Sequence, residues 1–122
     1  MGKKSVINGN MNLIWGMKNL LFVCKFNQMR SRTAESIYSD DSRYIVKSAG
    51  ISKKAQVRLT EDLISWADIV FVMESKYRDV ITDLYPIESI SKEIVSLDIP
   101  DTYYYMETQL VEIIKSKVNS FL

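Results

Sequence analysis

The chain has 122 residues, of which 47% are hydrophobic and 25% charged, as in an ordinary globular protein of one domain. Its formal net charge is only +1, so we expect neither nucleic acid nor a membrane surface as a partner. The sequence has no histidine and a single cysteine, Cys24. This excludes an internal disulfide, a Cys-His or Ser-His nucleophile pair, and a histidine-containing metal site. We therefore predict a cytoplasmic protein that needs no metal ion or other cofactor.

The first sixteen residues differ from the rest of the chain. Residues 1–16 show no sustained hydrophobic period, and asparagines interrupt any apolar stretch that would serve as a secretory signal. No segment of the sequence has the length of a transmembrane helix. We predict that residues 1–16 are an extension outside the core fold and that residues 17–122 form the domain.

Four short apolar runs predict β-strands, at residues 20–23, 44–46, 68–73 and 93–97. The first run stops at Cys24, and a sharp turn is expected at residues 48–50, after the second. Helices are predicted between the strands and after the last one. Alternating strands and helices indicate an α/β fold, in the form of a three-layer α/β/α sandwich with a central four-stranded parallel sheet.

Hydrophobic spacing and capping residues predict the helices. One helix is expected over residues 30–38, and Thr60 is expected to cap a short second helix. A third begins at about Ser75, with Leu84 on its apolar face. The apolar stripe of the last helix is formed by Met106, Leu110, Ile113, Ile114 and Phe121.

A C-x5-R-S pattern follows the first predicted strand, in which five residues separate Cys24 from Arg30 and Ser31 comes next. A thiol attacks phosphorus as the thiolate, which a helix N-terminus or a nearby cation favours. Backbone N–H groups of the loop can bind the phosphoryl oxygens, and the planar fork of Arg30 can hold two of them. Cys24 can instead be a small buried residue at a strand end. The strand before the pattern and the helix after it favour a phosphate-binding loop.

Two aspartates are candidates for the proton donor that a leaving group needs in a chain without histidine. Asp98 and Asp101 follow the last predicted strand, at the edge of a parallel sheet where ligands bind. Asp101 precedes three tyrosines, whose rings can wall a cleft. Either aspartate can instead cap a turn, and the tyrosines can be packing residues.

With these residues the chain resembles the low-molecular-weight protein tyrosine phosphatases, in particular a short prokaryotic branch of them. The similarity runs from about Met17 to Phe121 and rests on LLFVCKFNQMRSRTAES, VKSAGIS, ADIVFVMESKY and LDIPDTYYYMETQLVEII. The resemblance implies a phosphocysteine intermediate on Cys24 and a phosphoryl clamp by Arg30. It also implies that Asp101 acts first as acid and then as base. Asp98 stays the alternative acid because it too follows the last predicted strand.

The resemblance further implies which residues support the reaction. Asn27 would hold the strained loop backbone, Ser48 would support it, and Ser31 would stabilise the thiolate. Tyr103 and Tyr104 would flank the substrate ring. The predicted phosphate-binding loop and its support comprise Lys25, Phe26, Asn27, Gln28, Met29, Ser31 and Ser48.

The loop departs from the family pattern at three positions. Phe26 stands in place of glycine, Met29 in place of a second cysteine, and Arg32 in place of proline. Phe26 restricts its backbone position, and the change at Arg32 removes a rigid helix start. These departures bear on the catalytic rate and the substrate more than on the fold.

The leading hypothesis is a phosphatase for phosphorylated proteins, in particular phosphotyrosine, or for small aryl phosphates. An arsenate reductase is an alternative, and it would need an external thiol because Cys24 is alone. A non-catalytic phosphate-binding or interaction module is the other alternative, which Phe26 and Arg32 keep open. The sequence gives no indication of the oligomeric state.

Overall fold

The computed structural model describes residues 17–122, so the prediction for residues 1–16 lies outside the described residues. Its centre is one parallel sheet in the order β2-β1-β3-β4. The strands are β1 (Lys18–Cys24), β2 (Tyr44–Gly50), β3 (Ile69–Val72) and β4 (Glu93–Ser96). The α/β class and the four-stranded parallel sheet predicted from the sequence are confirmed.

Helices connect the strands and follow the last one. They are α1 (Arg30–Tyr38), α2 (Glu61–Trp66), α3 (Ser75–Leu84), α4 (Pro86–Ser89) and α5 (Thr108–Asn119). The α1 boundaries agree with the prediction. No helix in the described part of the chain is long and apolar enough to cross a membrane.

Both faces of the sheet are covered by helices because its central strands are apolar on both sides. Leu20 and Phe22 of β1 are buried in a core that also contains side chains of α1 and α5. Leu21 and Val23, which alternate with them, are buried in a second core with side chains of α2 and α3. One strand therefore contributes to two cores, and the result is the predicted three-layer sandwich.

The turn predicted at residues 48–50 is wrong, because these residues are the last part of β2. Ala49 pairs with Val23, and Gly50 pairs with Cys24, so β2 accompanies β1 to its end. The chain turns after Gly50 instead. Burial of the whole β1 strand favours a full-length neighbour over an early turn.

Three apolar residues lie outside the buried helix faces on which they were predicted. Leu84, at the end of α3, is 60% exposed, since α4 begins two residues later and the chain changes direction. Met106 lies before α5 with a φ of 60°, and Phe121 lies after that helix. Val118 completes the buried face of α5 instead. The short helix α4 was not predicted.

The predicted cap of the second helix is confirmed. Thr60 Oγ1 accepts a hydrogen bond of 3.2 Å from the Leu63 amide. Glu61 and Asp62 occupy the first turn of α2, where the helix dipole favours negative charge. The cap fixes the residue at which the segment after β2 ends and α2 begins.

Candidate active site

Cys24 lies at the point where the sheet topology leaves a crevice. It is the last residue of β1, Arg30 is the first residue of α1, and residues 25–29 form the loop between them. β1 lies between β2 and β3, so the strand order reverses beside it. In open parallel sheets ligands bind beyond the carboxyl ends of the strands at such a reversal.

The carbonyl groups at the start of this loop are hydrogen-bonded, whereas the amide groups of the loop are not. The carbonyls of Cys24, Lys25 and Phe26 accept hydrogen bonds of 2.9–3.1 Å from the segment 51–56. The N–H groups of residues 25–29 have no acceptor within the described residues 17–122. Successive unpaired amides beside a helix N-terminus are the arrangement that binds anions in proteins.

Asn27 fixes the shape of the loop from inside. Its φ is 57°, in the left-handed region that asparagine tolerates better than most residues. Its side chain is buried, and Nδ2 donates to Ser31 Oγ at 2.9 Å and to Ser48 Oγ at 2.8 Å. Ser48 in turn donates to the carboxylate of Glu35 on α1. Both amide protons of Asn27 are therefore used to hold the loop against β2 and α1.

This network orients a hydrogen-bond donor toward the thiol. Ser31 Oγ lies 3.0 Å from Cys24 Sγ, and both groups are buried. Because the Ser31 oxygen already accepts from Asn27, its own proton is free to point at the sulfur. A hydroxyl that donates to sulfur stabilises a thiolate more than a thiol. The predicted contact between Ser31 and Cys24 is present in the structure.

Arg30 is buried and held on one side by protein groups. Its Nη1 donates to Glu74 Oε2 and to the Ile99 carbonyl, each at 2.7 Å. Its Nε lies 3.6 Å from Asp101 Oδ1. Nη1 is therefore occupied and Nε lies beside the Asp101 carboxylate, so an anion in the loop would compete with Asp101 for the edge formed by Nε and Nη2.

The ion pair between Arg30 and Glu74 has electrostatic consequences for both partners. Burial lowers the pKa of Arg30, but the hydrogen bond with Glu74 and the charge of Asp101 outweigh it, so the pKa lies above its ordinary value. Burial raises the pKa of Glu74, but the hydrogen bond and charge of Arg30 outweigh it and leave that pKa below its ordinary value. Both groups are therefore charged at neutral pH.

A small cleft opens above Cys24. Its volume is about 160 Å³, and Asp101 lines it together with Lys25, Phe26, Gln28, Met29 and Arg30. Asp98 does not line this cleft; it has a φ of 53° and accepts a hydrogen bond of 2.7 Å from Ser96. Asp101, and not Asp98, therefore lines the cleft that contains Cys24.

The two tyrosines predicted to flank a substrate ring lie apart from the cleft. Tyr103 packs against the core between the sheet, α1 and α5, and it lines a separate groove on α5. Tyr104 is 75% exposed. Among the described residues neither side chain lines the cleft at Cys24, so their role stays a prediction.

The departures from the family's loop pattern are accommodated. Phe26 is not among the non-glycine residues with positive φ in the described part of the chain, so its backbone does not require glycine. Arg32 is the third residue of α1, which starts without proline. Its Nη1 donates to Gln56 Oε1 at 2.7 Å, and its guanidinium lies 5.7 Å from the ring centre of Tyr105.

Three groups of the candidate site were not predicted from the sequence. Glu74 follows the strand β3 by two residues, and the rule that ligands bind at the carboxyl edge would have identified it. Glu35 lies four residues after Ser31 and hence on the same face of α1. The Ile99 carbonyl has no side-chain signal, so no sequence pattern would have identified it.

Comparison with solved structures identifies the fold. The chain matches SP-PTP, a low-molecular-weight protein tyrosine phosphatase from Streptococcus pyogenes, with 16% identity, a TM-score of 0.71, and coverage of 87% of this chain and 91% of that one. It matches Wzb from Vibrio vulnificus in complex with benzylphosphonate with 24% identity, a TM-score of 0.69, and coverage of 87% and 97%. The YwlE arginine phosphatase from Geobacillus stearothermophilus matches with 20% identity, a TM-score of 0.56, and 84% coverage of both chains.

No protein-family model matches the chain, and neither does any curated protein sequence. The structural matches nevertheless extend over nearly the full length of the proteins found. This chain therefore has the fold of the low-molecular-weight protein tyrosine phosphatases. The resemblance predicted from the sequence is confirmed at the level of the fold.

Proposed function

We propose that this chain is a phosphatase that hydrolyses phosphomonoesters, in particular phosphotyrosine in proteins, through a phosphocysteine intermediate at Cys24. The observation that carries the proposal is the convergence of three groups on one small cleft. These are the Cys24 sulfur with its Ser31 hydroxyl, the unpaired amides of residues 25–29, and the guanidinium of Arg30.

The first step transfers the phosphoryl group to the enzyme. The Cys24 thiolate attacks phosphorus, so a sulfur–phosphorus bond forms while the phosphorus–oxygen bond to the leaving group breaks. The loop amides and Arg30 hold the three non-bridging oxygens, where negative charge is concentrated. Asp101, protonated at this stage, gives its proton to the departing phenolate oxygen.

The second step releases phosphate. A water molecule attacks phosphorus of the phosphocysteine while the Asp101 carboxylate accepts its proton. The sulfur–phosphorus bond breaks, and the Cys24 thiolate leaves, stabilised by the hydrogen bond from Ser31. The sequence of steps returns Asp101 to its acid form and needs no metal ion.

The apolar walls of the cleft support the proposal of an aromatic leaving group. Its volume of about 160 Å³ is small, and Phe26 and Met29 provide apolar walls beside the phosphate loop. Sites for drug-sized ligands or cofactors are larger than this cleft, at roughly 300–1,000 Å³. The solved structures of similar fold include proteins named as tyrosine phosphatases and one named as an arginine phosphatase. Phosphoarginine is therefore the second phosphoamino acid to assay.

Release of phosphate from p-nitrophenyl phosphate, a phosphotyrosine peptide and a phosphoarginine peptide tests the proposal. We expect turnover by the wild type, greatest on the phosphotyrosine peptide, and its loss in Cys24→Ser. Mass spectrometry after acid quenching should detect phosphate on Cys24. Turnover that persists in Cys24→Ser would show that Cys24 is not the nucleophile.

The same assay separates the two alternatives. A chain that binds vanadate in the loop but hydrolyses none of the three substrates is a binding module. A chain that reduces arsenate with glutathione faster than it hydrolyses the phosphoesters is a reductase. Either result would contradict the proposed function.

A further inference from the structure

The two sides of the cleft mouth carry opposite charge. On the side of β2, residues 24–32 and 50–59 contain six cationic residues and no aspartate or glutamate. On the side of β4, residues 98–107 contain Asp98, Asp101 and Glu107 but no lysine or arginine. The net charge of the whole chain is only +1, so this separation is local.

The segment after β2 is attached directly to the phosphate loop. Its Ser52 amide donates to the Lys25 carbonyl at 2.9 Å, and its Gln56 amide donates to the Phe26 carbonyl at 3.1 Å. A turn closed by the bond from the Ala55 amide to the Ser52 carbonyl, at 3.0 Å, lies between these two contacts. Lys53 and Lys54 occupy this turn, so their backbone is held against the loop that forms one wall of the cleft.

Three lysines on this side are not neutralised. Lys25, Lys53 and Lys54 are exposed, and none forms an ion pair with another residue of the range 17–122. Lys25 lies with its Nζ 5.1 Å from the ring centre of Phe26, at the wall of the cleft. Like charges held close together repel one another, and an acidic ligand relieves this repulsion.

We propose that Lys25, Lys53 and Lys54 form a basic docking surface for acidic residues that flank the phosphorylated residue of the substrate. The proposal rests on the proposed function, since the phosphorylated side chain must enter the cleft at Cys24. On the opposite side, the carboxylates of Asp98 and Glu107 disfavour acidic residues. The preferred substrate is therefore a phosphotyrosine peptide with aspartate or glutamate on one side of the phosphotyrosine.

The expected preference follows from the exposure of these lysines. Solvent-exposed ion pairs contribute roughly 0.2–1 kcal/mol, or about threefold in affinity for each lysine. Lys53 and Lys54 together should thus favour an acidic over a neutral flank by about tenfold at low salt. Because the Debye length falls from about 30 Å at 0.01 M salt to about 3 Å at 1 M, the preference should fall as salt is added.

Peptide binding and peptide hydrolysis, measured separately, test the docking surface. Fluorescence anisotropy gives the affinity of the Cys24→Ser chain for phosphotyrosine peptides with acidic or neutral flanks, and kcat/KM is measured with Cys24 present. We expect about tenfold tighter binding of the acidic peptide. Lys53→Ala/Lys54→Ala should reduce this difference to about threefold or less, the contribution left to Lys25, whereas the matched variant Lys115→Ala/Lys117→Ala on α5 should retain it. Lys53→Glu/Lys54→Glu should reverse it in favour of a basic flank.

The outcomes keep the surface and the proposed function distinct. Equal affinity for acidic and neutral peptides would overturn the docking surface even if both are hydrolysed. Tighter binding of the acidic peptide without hydrolysis would support the surface and contradict the phosphatase. Equally tight binding of the unphosphorylated acidic peptide, or of single-stranded RNA, would overturn the assignment to phosphopeptides.

Discussion

The Glu74 carboxylate lies 2.7 Å from Nη1 of Arg30, and this ion pair joins the first residue of α1 to the residue before α3. The Arg30 side chain is 2% exposed and the Glu74 side chain 30%. The pair therefore holds the guanidinium that faces the phosphate loop in one orientation. It also provides most of the neutralisation that a buried cation needs.

Replacing Glu74 should impair both stability and phosphate binding. Glu74→Ala leaves the Arg30 charge buried with one acceptor fewer, and we expect a loss of about 2 kcal/mol in the free energy of unfolding. Glu74→Gln keeps a hydrogen-bond acceptor and should lower the free energy of unfolding by a smaller amount. Urea unfolding and competitive inhibition by phosphate measure the two effects. Glu112→Ala on α5 is the matched control, and equal effects of the two alanine variants would contradict the role of the pair.

The same pair predicts a pH dependence of stability. The pKa of Glu74 is lower in the folded chain than its ordinary value of 4.5, so its ionisation stabilises the fold above that pH. This contribution is lost as the pH falls through the folded-state pKa, below 4.5. The difference in unfolding free energy between the wild type and Glu74→Gln should therefore be largest near neutral pH and shrink as the pH falls below 4.5. A constant difference would contradict the lowered pKa.

Asp101 and Asp98 should differ strongly in their contribution to catalysis. Asp101 lines the cleft with Cys24, whereas Asp98 bonds to Ser96. Asp101→Asn should lower kcat for phenyl phosphate by roughly 10²–10³-fold, because phenolate needs a proton to leave. The loss should be smaller for p-nitrophenyl phosphate, whose leaving group is less basic. Asp98→Asn is the matched control, and a larger loss in that variant would transfer the acid role to Asp98.

Asn27 combines a left-handed backbone with two side-chain hydrogen bonds, and two substitutions separate these contributions. Asn27→Gly removes the bonds to Ser31 and Ser48 but tolerates the φ of 57°. Asn27→Ala removes the bonds and adds backbone strain of about 1 kcal/mol. Alanine should therefore destabilise the chain more than glycine in thermal or urea unfolding. Equal stability of the two variants would contradict the strain.

Both Asn27 variants should also slow alkylation of Cys24 by iodoacetamide near neutral pH. In each of them Ser31 no longer receives the bond from Asn27 that directs its proton to the sulfur. An unchanged rate–pH profile in both variants would show that the orientation of Ser31 does not depend on Asn27.

Gly50 is required by the close approach of the segment that carries the two lysines. A Cβ at this position would lie 2.5 Å from Ala55 Cβ and 2.7 Å from the Lys25 carbonyl oxygen. Gly50→Ala should reduce the unfolding free energy by about 1–3 kcal/mol and weaken vanadate binding, because the phosphate loop must shift. Gly50→Ala/Ala55→Gly should recover stability in part but not vanadate affinity, since the contact with the backbone remains. Full recovery of both would contradict this account.

The sequence predicted those features that depend on neighbours along the chain. The helix from Arg30 to Tyr38 has its predicted boundaries, and Thr60 caps α2. Local patterns failed where a distant strand or helix decides the outcome. Gly50 belongs to a strand because Cys24 pairs with it, and Leu84 is exposed because α4 turns the chain away.

The residues of the candidate site also fall into those that the sequence predicted and those that it did not. Cys24, Arg30 and Ser31 form a contiguous motif on a strand-to-helix loop and were identified from the sequence. The partners of Arg30 lie 44 and 69 residues away in the sequence, at Glu74 and Ile99. Their positions depend on the packing of separate strand ends, which no local pattern contains.

The order of the strands has a consequence for local opening of the molecule. Cys24 ends a strand hydrogen-bonded on both sides, whereas Asp101 follows the edge strand β4. Amide hydrogen exchange should therefore be slow along β1 up to Cys24 and faster in residues 98–107, the segment that contains Asp101. We expect the Cys24 thiol to keep its position when the segment that contains Asp101 opens locally.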